Sequence, residues 1–305
     1  MILCAGESLI DMVPQAGQFR PLAGGAVYNT AIALGRLGTP TSYLWPISRD
    51  PFGEMLLTPL TQAGVATDLC PRSDRLTTLA FVTLTGGEAR YAFYDEGSAG
   101  RMLSPDDLPP IPADISALFI GGISLVPDPC GAAIEELARR AKPRMPVMLD
   151  PNIRPFFIQD ADAYRARLER LFALADIVKL SSDDLEWLMP DVDHAEAAAR
   201  ILAKGPRIIL KTGGIQGAIA YWQGEPLAAP ALQVEVADTI GAGDTFNAGV
   251  LAALHESGAL SRDGIDKLTP QTLLQALTLG TRAAAVTVSR PGANPPWLHE
   301  LALTT

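Results

Sequence analysis

The densest concentration of residues able to do chemistry is Asp238-Thr239-Ile240-Gly241-Ala242-Gly243-Asp244-Thr245-Phe246-Asn247-Ala248-Gly249. Downstream, Phe246, Val250, Leu251 and Leu254 recur at helical spacing, which puts Gly241-Ala242-Gly243 at the opening of a helix. The first N–H groups of a helix have no intrahelical partners, and the helix dipole adds positive charge there. Residues without bulk let a ligand reach those donors, so the run reads as an anion site. Asp244 falls in the first turn. A carboxylate beside a bound phosphate is costly unless it has a task, and accepting the proton of an attacking hydroxyl is one. The same residues also suit a tight turn with Asp244 capping the helix.

Such a site needs a frame. Short apolar runs at 2–5, 41–47, 116–121, 146–149, 176–180, 207–211 and 217–222 read as buried strands, most of them bounded by Gly, Pro or Asp. Helical patterns fall between them at 26–37, 131–142, 161–175, 184–189, 194–204, 244–257 and 271–286. Gly38 and Gly205 follow their helices where a C′ glycine belongs. This order predicts an α/β fold, a parallel sheet covered by helices on both faces. Residues 79–94 break the alternation. Apolar and Thr residues alternate on both sides of Gly86-Gly87, the pattern of a β-hairpin that either extends a sheet edge or stands off as a flap.

The 305 residues, 48% of them hydrophobic, suffice for one large core or two modest ones. Lys and Arg number 24 against 34 Asp and Glu, and the net charge of −10 argues against a nucleic-acid partner or an anionic membrane surface. Cys4, Cys70 and Cys130 include no CxxC pair, and His194, His255 and His299 stand far apart, so neither a disulfide scaffold nor a zinc site finds support. Met1 to Glu7 has no basic signal segment, and no stretch reaches about 18 uncharged apolar residues; a cytoplasmic protein is expected. Neither a Walker A run nor a GxGxxG fingerprint occurs, which removes P-loop enzymes and dinucleotide dehydrogenases.

The run Asp238 to Phe246 resembles D-T-x-G-A-G-D-x-F, the C-terminal signature of the ribokinase-like (PfkB-type) carbohydrate kinases. Four further stretches resemble that family in its own order. Gly6-Glu7-Ser8-Leu9-Ile10-Asp11 is similar to its opening strand and first sugar-binding acid, and Gly24-Gly25-Ala26-Val27-Tyr28-Asn29 to its G-G-x-x-x-N sugar loop. Asp150-Pro151-Asn152-Ile153-Arg154 is similar to the D-P-N-x-R of fructokinases and 2-keto-3-deoxygluconate kinases, and Arg290-Pro291-Gly292-Ala293 to the closing loop. The resemblance implies one kinase domain over 1–305, with a three-layer αβα ribokinase-like fold and a mainly parallel central sheet. It also implies a small β-sheet lid from about 9–23 and 79–94, often shared across a homodimer.

By this resemblance Asp244 is the catalytic base, and the N–H groups from Gly241, Ala242 and Gly243 to Asp244 form the anion hole. Sugar contacts fall to Asp11, Gly24, Gly25, Asn29 and Arg154. Taken alone, Asp11 is equally a solvated residue after a strand, Asn29 a polar residue at a helix start, and Arg154 a partner of Asp150 or Asp160. Nucleotide contacts fall to Ser181, Thr212, Gly214, Gly241 and Gly243, with Lys211 adding positive charge that the family does not require. Ser181 and Asp184 stand where the family has N-x-x-E, whose acid helps organise Mg²⁺; the plainer reading makes Ser182 or Asp183 a helix cap. Asp238, Ile240, Thr287, Arg290 and Gly292 correspond to a K⁺ site beside the anion hole.

The implied reaction is phosphorylation of a sugar hydroxymethyl group by ATP, fructose to fructose 6-phosphate. Its cues are the Asp150 to Arg154 run, the lid run Arg90 to Ala99, and Gly121-Gly122-Ile123-Ser124-Leu125. Within the family, 2-keto-3-deoxygluconate and nucleoside or aminoimidazole-riboside kinases are the alternatives. Outside it stands a sugar-binding regulator without turnover, which the departures at Ser181 and Asp184 would suit.

Overall fold

The computed structural model describes residues 1–85 and 88–301; the Gly86-Gly87 turn expected of the hairpin lies outside the described residues. The chain begins β1 (Ile2–Ala5), β2 (Leu9–Gln15), β3 (Gln18–Gly24), α1 (Ala26–Arg36), β4 (Thr41–Leu44), β5 (Ile47–Ser48) and α2 (Pro51–Gln62). It continues β6 (Arg72–Ser73), β7 (Leu79–Thr85), β8 (Glu88–Tyr94), β9 (Ala117–Gly121), α3 (Cys130–Ala141), β10 (Val147–Asp150) and α4 (Ala161–Leu174). The remainder is β11 (Ile177–Ser181), α5 (Ser182–Leu188), α6 (His194–Leu202), β12 (Ile208–Thr212), β13 (Ala218–Tyr221), β14 (Leu227–Ala229), α7 (Ala242–Glu256), α8 (Arg262–Asp266), α9 (Pro270–Val288) and α10 (Leu298–Leu301).

Eight strands form the main sheet in the order β14-β13-β12-β11-β10-β9-β1-β4. From β12 to β4 every pairing is parallel. The sheet is mainly parallel, as expected, and departs from that at one edge, where β12 pairs with β13 and β13 with β14 antiparallel. The reason is local: only Gly213 to Gly217 separate β12 from β13, too few residues for a crossover. Strands β1, β9 and β10 are buried at every position, as strands covered on both faces must be. Helices α1 and α9 both pack on α7, while α3 and α4 pack together over β9 and β10. Where α7 meets α9, a Cβ at Gly249 would stand 2.7 Å from Gly280 Cα, so a small residue fixes how closely α7 is seated.

A second, four-stranded sheet has the order β3-β2-β7-β8. It grows straight out of β1, since only Gly6 to Ser8 separate β1 from β2. Three local expectations change. The strand expected over 41–47 ends at Leu44 and resumes at Ile47, interrupted at Pro46, which has no N–H to donate. Helix α2 was hidden by Pro59 in its interior, yet Asp50 caps it by accepting from Gly53 N at 2.7 Å and Pro51 opens it. Gly205 sits one residue beyond C′, because the C-cap of α6 is Ala203. Among the described residues no helix is long and apolar enough to cross a membrane.

Candidate active site

The candidate residues gather at the carboxyl ends of the parallel strands, where an open α/β sheet leaves a crevice. One wall is the junction of β3 and α1. Gly25 has φ 122°, and a Cβ there would lie 2.4 Å from the Glu7 carbonyl oxygen, so only glycine fits. The buried Glu7 carboxylate clamps this junction to the loop after β9, accepting from Ala26 N (3.0 Å) and Ser124 N (3.2 Å). Burial pushes its pKa up, and those hydrogen bonds offset the rise. Gly24 faces Asp11: a Cβ on Gly24 would stand 2.5 Å from Asp11 Oδ2. Burial pushes Asp11 up to about 6.

The opposite wall is the start of α7. Gly241 is its N-cap in the left-handed region (φ 78°), and a Cβ there would meet Ala293 Cβ at 2.8 Å. Ala242 N donates to Thr239 O at 3.3 Å, so the amides of Gly243 and Asp244 are left without a backbone acceptor in the first turn. Asp244 is not the cap that the plainer sequence reading made it. It lies inside the helix, 7% exposed, and its Oδ2 accepts from Asn29 Nδ2 at 2.8 Å. Thr30 Oγ1 donates to Asp244 O at 3.2 Å, tying α1 to α7 across the site. Burial raises the Asp244 pKa to about 7; the Asn29 bond opposes this, the nearby Asp150 adds to it, and Lys179 and Arg154 oppose it.

Arg154 follows β10 on a chain bent by Asn152, which has φ 45° and donates its N–H to Asp150 Oδ1 at 3.0 Å. Neither suggested carboxylate holds its guanidinium. Asp150 pairs with Lys179, and Asp160 caps α4 through Ala163 N. Arg154 makes no ion pair among the described residues and donates to Ile153 O at 3.1 Å. Just beyond it, Phe156 stacks on Tyr91 (5.1 Å, 6°) and Phe157 meets Phe93 edge-on (4.8 Å). The small sheet is thereby in contact with the loop that carries Arg154.

Ser181 and Thr212 stand side by side at the ends of β11 and β12. Lys211 is buried, and its Nζ lies 3.1 Å from where a Cβ on Gly213 would be. Gly214 is exposed, with φ 56° and open space beside it. The cap of α5 is Ser181 rather than Ser182 or Asp183. Its Oγ accepts from Asp184 N (3.0 Å), while Asp184 Oδ2 accepts from Ser181 N and Oγ (2.7 Å each), a capping box. Asp184 Oδ1 accepts from Ile153 N at 2.8 Å.

The donor sets for the implied metals differ in fit. Among the described residues no three His, Cys, Asp or Glu gather as a metal cluster. Both Asp184 oxygens hold backbone groups, so Mg²⁺ fits here as a companion of nucleotide phosphates and not as an ion chelated by Asp184. For the monovalent cation, Asp238 joins the two loops concerned by accepting from Ile240 N (3.0 Å) and Gly292 N (2.9 Å). Thr287 is buried, with its hydroxyl bonded to Thr245, and the Arg290 side chain pairs with Glu300. Carbonyl oxygens would therefore have to carry most of such a site.

Sequence reasoning gave Lys179 and Asn247 no role and weighed Asp150 only as a partner of Arg154; the structure buries the three together. Lys179 Nζ lies 3.2 Å from Asp150 Oδ2, which also accepts from Asn247 Nδ2 at 2.7 Å. The available signal was a lysine inside an otherwise apolar strand and an Asn one turn beyond Gly243.

The eight-stranded sheet, the separate four-stranded sheet and the glycine-opened helix with a buried carboxylate are those of the ribokinase-like fold. The chain belongs to the pfkB family of carbohydrate kinases, whose family model matches residues 1–300. It is 46% identical over 278 residues to a fructokinase of Rhizobium leguminosarum bv. trifolii, covering 90% of this chain and 85% of that one. Among solved structures it is similar to fructokinase with bound ATP from Xylella fastidiosa, with a TM-score of 0.89, 30% identity, and coverage of 99% of this chain and 97% of that one. It is also similar to aminoimidazole riboside kinase from Salmonella enterica, with a TM-score of 0.87, 25% identity and coverage of 99% and 98%.

Proposed function

We propose that this chain transfers the γ-phosphoryl group of ATP to the hydroxymethyl group of fructose, giving fructose 6-phosphate and ADP. The observation that carries the proposal is Asp244, a buried carboxylate aligned by Asn29 in the first turn of a helix opened by Gly-Ala-Gly. In the proposed reaction Asp244 takes the hydroxyl proton as the sugar oxygen attacks phosphorus and the bond to ADP breaks. The amides of Gly243 and Asp244 and the dipole of α7 stabilise the charge on the group in flight. Asp11, Asn29 and Arg154 orient the sugar, and Gly24 and Gly25 let it approach the backbone. Ser181, Thr212, Gly214 and Lys211 attend the nucleotide. Mg²⁺ would come with ATP and would supply positive charge to its phosphates, and K⁺ would be held by Asp238, Ile240, Thr287, Arg290 and Gly292, chiefly through carbonyl oxygens, and would add positive charge beside the anion site.

The whole chain acts as one kinase domain in this reading. The four-stranded sheet serves as a lid that excludes water from the γ-phosphate. Its exposed aromatics Phe19 and Tyr94 (44% and 65% exposed) suit a second copy of the same sheet in a homodimer. The free thiols Cys4, Cys70 and Cys130 suit the reducing cytoplasm.

The test is coupled ADP release with Mg-ATP against fructose, tagatose, ribose, 2-keto-3-deoxygluconate and aminoimidazole riboside, each with and without K⁺. Turnover strongest on fructose is expected. Turnover strongest on another member would keep the mechanism and discard fructose. Sugar binding without ADP release would favour a regulator. The sugar site is tested separately by Gly24→Ala, whose methyl group must displace the Asp11 carboxylate. The sugar KM rises about tenfold, matching loss of one charge-assisted hydrogen bond of roughly 1.5 kcal/mol, with kcat nearly kept. An unchanged KM would remove Asp11 from the sugar site.

A further inference from the structure

The Asp150–Lys179–Asn247 group has no part in the reaction as derived so far. Lys179 lies in the buried strand β11 with a side chain 5% exposed, and Asp150 at the end of β10 is 2% exposed. Asn247 is fully buried on α7, one turn beyond the Gly-Ala-Gly opening. Its Nδ2 fixes Asp150 Oδ2, which in turn holds the Lys179 ammonium. That ammonium lies against the anion site: a Cβ on Gly243 would stand 3.2 Å from Lys179 Nζ. Burial works against the charged lysine, yet the carboxylates of Asp150, Asp184 and Asp244 hold it protonated. A buried ion pair adds little stability over apolar side chains of the same volume, so its place under a ligand-binding turn asks for another reason.

We propose that Lys179 is a positioning residue for phosphoryl transfer, a fixed positive charge behind the Gly243 backbone that Asp150 and Asn247 hold in register with the first turn of α7. The inference rests on the kinase reading above. Lys179 strengthens the pull of the Gly243 and Asp244 amides on the charge that develops in transit, without being in the sugar pocket. Its removal therefore acts on kcat and spares the sugar KM.

The informative protein carries Lys179→Met together with Asp150→Asn, which removes both charges and leaves neither one orphaned in the core. With folding checked by its thermal melt, we expect kcat to fall about 10²-fold, in the range for loss of one preorganised electrostatic group, and the fructose KM to stay within about threefold. Lys179→Arg, which restores the charge beside an intact Asp150, recovers at least about tenfold of that loss. A folded double variant with wild-type kcat would overturn the proposal, as would a Lys179→Arg protein no better than the double variant. If the double variant does not fold, Asn247→Ala replaces it: a kcat about tenfold lower at constant KM supports the role, and an unchanged kcat overturns it. Wild-type protein that consumes no ATP with any sugar would refute the kinase reading, whereas active wild type with an indifferent double variant refutes the role of Lys179 alone.

Discussion

Asp244→Ala protein is expected to release ADP at least ~10²-fold more slowly than wild type at saturating fructose and ATP, the low end for loss of a general base. Two further buried carboxylates of the site already have partners. Asp150 is committed to Lys179 and Asn247, and Asp184 to the backbone of Ser181 and Ile153. Asp11 lies within β2, paired with Leu22 of β3, and its carboxylate faces Gly24. The fold should survive, since Asp244 caps nothing and α7 is held by its packing on α1 and α9. Calorimetry should still detect fructose, with an affinity changed only a few-fold. Near-normal turnover in a folded Asp244→Ala protein would remove Asp244 from the reaction.

A second expected result concerns the same carboxylate and pH. Asp244 titrates near 7 in the folded protein and near 3.8 when free of it, chiefly because burial disfavours its charge. Only the ionised form accepts a proton, so kcat/KM should fall about tenfold per pH unit below an acid limb near 7. Stability moves the other way. With the folded pKa raised, this group's contribution is fully present below about pH 4 and is lost as pH rises through about 7. Above that point the ionised carboxylate costs roughly 4 kcal/mol. Asp244→Asn avoids the cost while its amide oxygen still accepts from Asn29. In urea unfolding, its stability advantage over wild type should grow by roughly 3 kcal/mol between pH 5 and pH 8. A gap that does not change with pH would mean that Asp244 is not a charged group forced into the interior.

Much of this is legible in the amino-acid sequence. The apolar runs that became β1, β9, β10, β11 and β12 are buried from both sides, and such strands announce themselves by composition alone. The Gly-Ala-Gly-Asp run was legible because nine residues from Asp238 to Phe246 match a specific signature, where the bare glycines would equally suit a capped turn. What stayed hidden depends on partners distant in sequence. Whether Asp244 capped its helix or faced the site turned on Asn29, which lies 215 positions away. Lys179 read as one lysine in a strand until Asp150 and Asn247 closed around it. The capping box that Asp184 forms with Ser181 follows an S-x-x-D spacing that stood in the sequence unread. Periodicity reports burial, not strand direction, so which edge departs from parallel showed only in the short Gly213 to Gly217 link.

The most direct test of the account is ³¹P NMR of wild-type protein, Mg-ATP and fructose, beside Asp244→Asn under the same conditions. The account predicts a phosphomonoester signal that grows one for one with ADP in the wild type and is nearly absent with Asp244→Asn. ADP accompanied by inorganic phosphate without ester, or no ADP at all while calorimetry shows bound fructose, would contradict it.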